Sequence, residues 1–222
     1  MKLVLLGPPG AGKGTLATLI KDELGIMHIS TGDMLREEMK SGSDLGNEVK
    51  QYVESGALVP DEVVIKIIEN KLTSDEQVAK GFMLDGFPRT EAQAEELDKI
   101  LEKIGKSIDY SFYMDASLEV VLQRLTGRRI CRDCGAIFHM TNMPPKEAGK
   151  CDSCGGEIYQ RPDDNEETIK KRMDVYGENT APVVEYYAGQ GKLKKVNADQ
   201  STDELFDEMM ANVNADKKAN QD

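Results

Sequence analysis

The sequence predicts an α/β protein, a three-layer α/β/α fold around a five-stranded parallel sheet, with two inserted segments. Three features point to it. Short apolar runs alternate with helical repeats along most of the chain. The first run, "KLVLL" after Met1, is continuous rather than alternating, as in a strand covered on both faces. That run ends in a glycine-rich stretch, "GPPGAGKGT" from Gly7 to Thr15, which opens directly into a helical pattern.

The elements follow in order. Leu16, Leu19, Ile20 and Leu24 recur at helical spacing and predict a helix from Lys13 to Leu24. "GIMHIS" reads as a second strand. Ser30-Thr31 then caps a helix to about Met39. "SGSDLG" opens a helix from about Asp44 to Glu54, and Pro60 starts the next one at the favoured first-turn position. "GFMLDG" is a third strand, followed by a helix from Thr90 to about Ile104; "DYSFYMD" is a fourth, followed by a helix from Ser117 to Thr126. From Gly127 to about Asp164 periodicity is weak. This stretch holds all four cysteines and three of the eight prolines, and reads as an inserted small domain. Helical spacing returns from Asn165 to about Ala188, "KLKKVN" is the fifth strand, and a last helix starts near Ser201. The tail "NADKKANQD" is expected to fray.

Bulk properties narrow the function. A chain of 222 residues suffices for one well-buried core with insertions. The net charge of −12 argues against polymeric nucleic acid as a partner. All eight arginines lie between Arg36 and Arg172, which suits a small phosphate ligand gripped by guanidinium forks. No run of 18 apolar residues predicts a membrane span, and the N-terminal run reads as a strand rather than a signal peptide. A reducing, cytoplasmic location is expected, so the cysteines are not expected to form disulfides.

The glycine stretch nearly fits the phosphate-loop pattern G-x-x-x-x-G-K-[ST]. Gly7, Gly12 and Lys13 are in place, but Gly14 stands where Ser or Thr would hold magnesium, and Thr15 comes one residue late. The context is the required one, since a strand leads in and a helix N-terminus leads out. Backbone N–H groups and the helix dipole bind an anion there, and Lys13 adds a full charge. Asp85 falls at the C-terminal end of the third strand, which places it beside the loop, where it could orient magnesium-bound water.

Cys131-x2-Cys134 and Cys151-x2-Cys154, sixteen residues apart, have zinc-ribbon spacing. Four thiolates close a tetrahedron and leave no open position, so the metal is expected to be structural. Zinc is the first choice; iron or cobalt also suits thiolate sites. Redox pairs fit less well, because neither motif lies between a strand and a helix. About forty residues with few large apolar side chains (Ile130, Ile137, Phe138, Met140, Met143, Ile158 and Tyr159) need such a staple.

Taken together, "GPPGAGKGT", "STGDMLR", "LVPDE", "LDGFPRT", "GRR", "YQRPDDN" and "KR" occur in the order and spacing of one family. The chain resembles adenylate kinase over nearly its whole length, in the long form with a metal-binding lid. Gly14-Thr15 after Lys13 is that family's usual form of the loop. The resemblance implies reversible, magnesium-dependent transfer of a phosphoryl group from ATP to AMP, giving two ADP. It implies ATP binding by Gly10, Ala11, Gly12, Lys13, Gly14 and Thr15, by Arg124 and Arg128, and by Ile137, Phe138 and Gln200 near the adenine. It implies AMP binding by Thr31, Arg36, Ala57, Leu58, Val59, Gly86, Phe87, Pro88, Arg89 and Gln93, with Arg161 and Arg172 reaching both phosphate chains. Lys13, Arg89, Arg128, Arg161 and Arg172 are the implied catalytic charges, and Asp33 and Asp85 the implied partners of magnesium-bound water. Residues 1–29, 60–126 and 165–222 would be the core, 30–59 the AMP-binding segment and 127–164 the lid, in a monomer.

The chemistry is consistent with that reading. In-line phosphoryl transfer needs positioning and charge, not a protein nucleophile, and both inserted segments would close to exclude water. Thr31 and Gln93 favour adenine, because an amide pairs with its donor–acceptor edge. A kinase for another nucleoside monophosphate is the near alternative. A nucleotide-sensing scaffold whose zinc ribbon contacts nucleic acid is the alternative of a different class. Arg129 and Arg132 read as surface residues. His28, on an apolar strand, reads as a satisfied core histidine, and His139 has no assigned role.

Overall fold

The structure is a computed structural model that describes the backbone of residues 1–219 and the side chains of residues 1–215. Its central sheet contains β1 (Lys2–Leu6), β2 (Met27–Ser30), β3 (Phe82–Asp85), β4 (Tyr110–Asp115) and β8 (Leu193–Asn197), all parallel, in the order β2-β3-β1-β4-β8. Side chains of β1 alternate between two cores, as the strand period dictates. Val4 and Leu6 face a cluster with Ile68, Leu97, Phe87 and Tyr187. Leu3 and Leu5 face another with Leu16, Ile20, Met209 and Val213. Helices α4 (Asp61–Ser74), α5 (Glu91–Lys103) and α8 (Ala181–Gly189) cover the first face, and α1 (Lys13–Leu24) and α9 (Thr202–Ala219) the second.

The connection from β1 runs to β2 at one edge, while that from β3 crosses back over β1 to β4. The chain therefore changes direction between neighbours β1 and β3, and a crevice opens at their C-terminal ends. Two helices, α2 (Thr31–Ser41) and α3 (Asp44–Ser55), rise beside it between β2 and α4. Ser30 and Ser43 cap them by accepting from Asp33 N–H and Gly46 N–H. Pro60 sits one place earlier than expected, at the N-cap of α4, with Asp61 the first helical residue.

Between α6 (Leu118–Gly127) and α7 (Glu166–Val175), three short antiparallel strands form a separate sheet in the order β6-β5-β7: β5 (Arg128–Cys131), β6 (Ile137–His139) and β7 (Ile158–Tyr159). Strands of two to four residues are too short to show a period, which is why the sequence reading has none there. Phe138, Cys131 and Cys151 form its small core, with Ala136 and Ile158 packed on it. Met140 and Met143, two of the few large apolar residues of this segment, are exposed, which leaves its core smaller still.

The helix expected over 165–188 is broken. A π turn at Tyr176–Thr180 separates α7 from α8. Pro182 lies in the first turn of α8 and has no N–H to donate backwards, so the helix widens before it. A 3-10 turn at Glu76–Lys80, capped by Asp75, was also not expected. The final helix continues to Ala219, so Asn214 to Ala219, expected to fray, are helical; residues 220–222 of that tail lie outside the described residues.

Candidate active site

The glycine loop joins β1 to α1 at the crevice. Gly10 and Gly12 have φ of +83° and +95°, and a Cβ on Gly10 would lie 2.9 Å from Leu125 Cγ, so both conformation and packing demand glycine there. Lys13 begins α1 and folds back over the loop, its Nζ donating to the carbonyls of Gly7 and Pro8 at 2.8 Å each. Burial lowers the Lys13 ammonium to about 8, against the pull of Asp85 and with further lowering from Arg89, Arg172 and Arg128. A side chain at Gly14 would stand 3.7 Å from Asp85 Oδ2 and 3.6 Å from Ile137 Cδ1. The carboxylate is thus beside the loop, as its place at the end of β3 predicts, and β6 of the inserted sheet reaches over it.

Arginines enter from four directions. Arg89, in the loop after β3, donates from Nε to Gly86 O at 2.9 Å. Arg128 forms a bidentate pair with Asp164, with Nε 2.8 Å from Oδ2 and Nη2 on Oδ1. Arg172 on α7 pairs with Asp163 at 3.0 Å and lies 3.7 Å from Asp164. Arg36 on α2 holds Asp33, and Arg161 approaches the same carboxylate at 3.7 Å. The Arg161 Nε is buried without a hydrogen-bond partner among the described residues, an unused donor at a site built for anions. Burial first, and then neighbouring guanidinium groups, lower Arg89 and Arg161 to about 10. Positive charge is therefore crowded here beyond what the local carboxylates offset.

Asp163 and Asp164 have no role in the sequence reading although "YQRPDDN" contains them. Asp164 has a side chain with no exposed surface, and a buried carboxylate needs cationic partners. The doubled aspartate after Arg161 was the available signal.

The loop after β3 is fixed from several sides. Thr31 Oγ1 donates to Asp85 O at 3.1 Å. Arg89 N–H donates to Gln93 Oε1 at 2.7 Å, and Thr180, at the end of the π turn, donates to Arg89 O at 2.9 Å. Gly56, which caps α3 ahead of Ala57, Leu58 and Val59, packs against Arg172 and Thr168 of α7. Val59, Phe87, Pro88 and Gln93 are buried around this loop.

Other expected residues have different surroundings. Arg124 ties the glycine loop to the turn before α9, donating to Ala11 O at 3.2 Å and Gln200 O at 3.0 Å. The Gln200 amide turns away to Glu208. The Phe138 ring belongs to the core of the inserted sheet rather than to the crevice. His28 is only partly buried and faces Asp85, with Nε2 3.3 Å from Oδ2, so it borders the crevice instead of filling the apolar core. Arg132 pairs with Glu157 and lies over the Tyr159 ring, and Arg129 donates to Thr126 O and Arg128 O, so both serve the inserted sheet.

The four cysteine sulfurs lie within 4.8 Å of one another. They are free thiols on two matching turns, with Gly135 N–H bonded to Cys131 O and Gly155 N–H to Cys151 O. Four sulfurs about 2.3 Å from a central ion stand roughly 3.8 Å apart, so this set fits a closed tetrahedral thiolate site. His139 is used elsewhere: Nδ1 accepts from Thr141 N–H and Asn142 N–H, and Nε2 reaches Gln123 O at 3.1 Å.

A phosphate loop at a topological switch point, facing a convergent set of guanidinium groups with no nucleophile–base pair among the described residues, defines a nucleotide phosphotransferase. The family profile described as adenylate kinase matches residues 5–192. The chain is 52% identical to an adenylate kinase of Caldicellulosiruptor saccharolyticus over 193 residues, covering 87% of this chain and 89% of that protein. It is 50% identical to one from Geobacillus sp. (strain WCH70) over 206 residues, 93% and 95% of the two chains. Against one from Clostridium botulinum it is 48% identical over 217 residues, 98% and 100%. The chain belongs to the adenylate kinase family and is a nucleoside monophosphate kinase, transferring a phosphoryl group from ATP to AMP to give two ADP. No helix among the described residues is long and apolar enough to cross a membrane.

Proposed function

We propose that ATP lies with its phosphates on Gly10–Thr15 and its base between Arg124, the Gln200 turn and β6, while AMP lies under α2 and α3 with its phosphate toward Arg36 and Arg89. Thr31, Ala57, Leu58, Val59, Gly86, Phe87, Pro88 and Gln93 line the AMP side. Of the ATP-side residues, Phe138 contributes through its backbone. The observation that carries this assignment is the convergence of Lys13, Arg89, Arg128, Arg161 and Arg172 on one crevice, with the Arg161 Nε left unpaired.

On this reading Asp163 and Asp164 orient Arg172 and Arg128 before nucleotide arrives. The phosphates then take over as counter-charge, so little reorganisation remains at the moment of transfer. Lys13 leaves the Gly7 and Pro8 carbonyls for the phosphate. Asp85 and Asp33 would hold magnesium through its bound water, and the ion would supply positive charge to the phosphates. Residues 127–164 act as the lid and 30–59 as the AMP-binding segment; both close to keep water from the transferring group. The cysteine site holds one structural zinc, the protein is a monomer and it works in the cytoplasm.

The test is ADP formation with ATP and magnesium across AMP, GMP, CMP and UMP. AMP should be strongly preferred. Lys13→Ala should retain the fold and lose at least ~100-fold in turnover, because it removes a charge aimed at the transferring phosphate. Near-parental turnover would overturn the assignment.

A further inference from the structure

The loop that carries Arg89 contains a chain of hydrogen bonds with a fixed direction. Gln93 on α5 is 1% exposed. Its Oε1 accepts from Arg89 N–H at 2.7 Å, and its Nε2 donates to Asp61 Oδ1 at 2.7 Å. The other oxygen of Asp61 accepts from Thr90 Oγ1, also at 2.7 Å. Thr90 in turn caps α5 by accepting from Gln93 N–H at 3.1 Å. A backbone N–H can only donate and a carboxylate can only accept. The Gln93 amide therefore has one permitted orientation. Turning it over would set NH2 against the Arg89 N–H and Oε1 against the Asp61 carboxylate, leaving two buried mismatches.

A primary amide has two acceptor sites on oxygen and two N–H donors. One of each is committed to the protein, and one of each remains for a base. Adenine offers a donor at its 6-amino group and an acceptor at N1. Hypoxanthine and guanine offer the reverse, an acceptor at O6 and a donor at N1. An amide free to turn over would serve either.

We infer that Asp61 is a specificity-determining positioning residue: its carboxylate, 29 and 32 residues away in sequence from the two side chains it holds, locks the Gln93 amide in the one orientation that pairs with a 6-aminopurine. The inference rests on the proposed role of Gln93 in reading the base. The Arg89 N–H is a backbone group, so Asp61 is the half of the lock that a side-chain substitution can open. The discrimination comes from the cost of turning a buried amide over, and Asp61 need not touch the nucleotide. A site whose polar groups would be left unpaired rejects the wrong partner far more strongly than one that merely excludes it by size.

The experiment compares kcat/KM for AMP and IMP, with ATP and magnesium, in the parent, Asp61→Asn, Asp61→Glu and Gln93→Ala. IMP reverses the edge polarity without the extra 2-amino group of guanine. Asparagine can present its own NH2 to a turned Gln93 and so opens the Asp61 half of the lock, leaving one mismatch where there were two. Asp61→Asn should lower the AMP-to-IMP ratio at least ~10-fold, chiefly through KM for the two monophosphates, with KM for ATP unchanged. Asp61→Glu, which keeps an acceptor-only group, should retain most of the discrimination. Should Asp61→Asn not fold, Asp61→Ser, which keeps a residue favourable at the start of α4, carries the same expectation. Equal losses with both nucleotides in Asp61→Asn, alongside a lowered ratio in Gln93→Ala, would overturn the lock and leave the base-reading role of Gln93 standing. An unchanged ratio in Gln93→Ala would overturn both.

Discussion

Lys13→Met should destroy turnover yet relieve a pH-dependent cost in the ligand-free protein. Burial draws the Lys13 pKa from 10.5 to about 8, even with Asp85 opposing it. A change of one in pKa corresponds to about 1.4 kcal/mol, so this lowering amounts to ~3 kcal/mol; because the residue stays partly accessible, solvent screening brings this to ~2 kcal/mol. The folded pKa lies below the unfolded one, so the folded state resists protonation. The cost is fully present below about pH 8 and is relieved as pH rises toward 10.5. Methionine also forfeits the bonds to Gly7 O and Pro8 O, a loss that is the same at every pH. The melting temperature of Lys13→Met relative to the parent should therefore be higher at pH 7 than at pH 9.5. The change should be ~1–2 kcal/mol, or roughly 2–8 °C for a chain of this size. Subtracting the parent at each pH cancels the titrating groups that do not interact with Lys13. The assay is thermal melting without nucleotide at the two pH values, with turnover on the same samples. A stability difference that does not move with pH would refute the buried charge.

Two further outcomes are expected. Replacing Cys151 and Cys154 by serine should release the metal and lower the melting temperature, because the inserted sheet has only a handful of apolar side chains to hold it together. Much of the turnover should survive wherever that sheet still folds; metal content, melting and ADP formation on one sample check this, and loss of nearly all activity with the sheet ordered would contradict a structural role. Thr180→Val removes the bond to Arg89 O and leaves a partly buried carbonyl unpaired, so KM for AMP should rise several-fold while KM for ATP stays put, with Thr180→Ser restoring it. Equal effects on both nucleotides in steady-state kinetics would place the damage elsewhere than in the Arg89 loop.

Features with local causes were legible without the fold. The glycine loop carries its own signal, since a continuous apolar run, glycines at left-handed positions and a lysine at a helix start all lie within fifteen residues. The bounds of α1 were read to the residue, and the Ser30, Ser43, Thr90 and Ser117 caps mark helix starts through bonds spanning three residues. The cysteine site was legible because each pair sits on a single turn, and because thiols have few other reasons to recur at that spacing.

What remained hidden depends on partners far apart in the chain. Strands β5, β6 and β7 are too short to show a period, and they exist because the cysteine turns and Phe138 bring them together. Nothing local in Asp61 distinguishes it from any acidic residue in a first helical turn, until α4 and α5 pack and put its carboxylate on Gln93 and Thr90. The same holds for Asp163 and Asp164 beneath Arg172 and Arg128, for Thr180 on the Arg89 carbonyl and for His28 beside Asp85. Neighbouring residues suffice to specify the five parallel strands and most of their helices, the phosphate loop and the four-cysteine set, because each is written over a few consecutive positions. Packing settles which carboxylate holds which arginine, and which way one buried amide must point. A hydrogen bond is set by where its donor and acceptor meet in space, and those meetings join different elements, from 9 residues apart for Asp163 and Arg172 to 91 for Arg89 and Thr180.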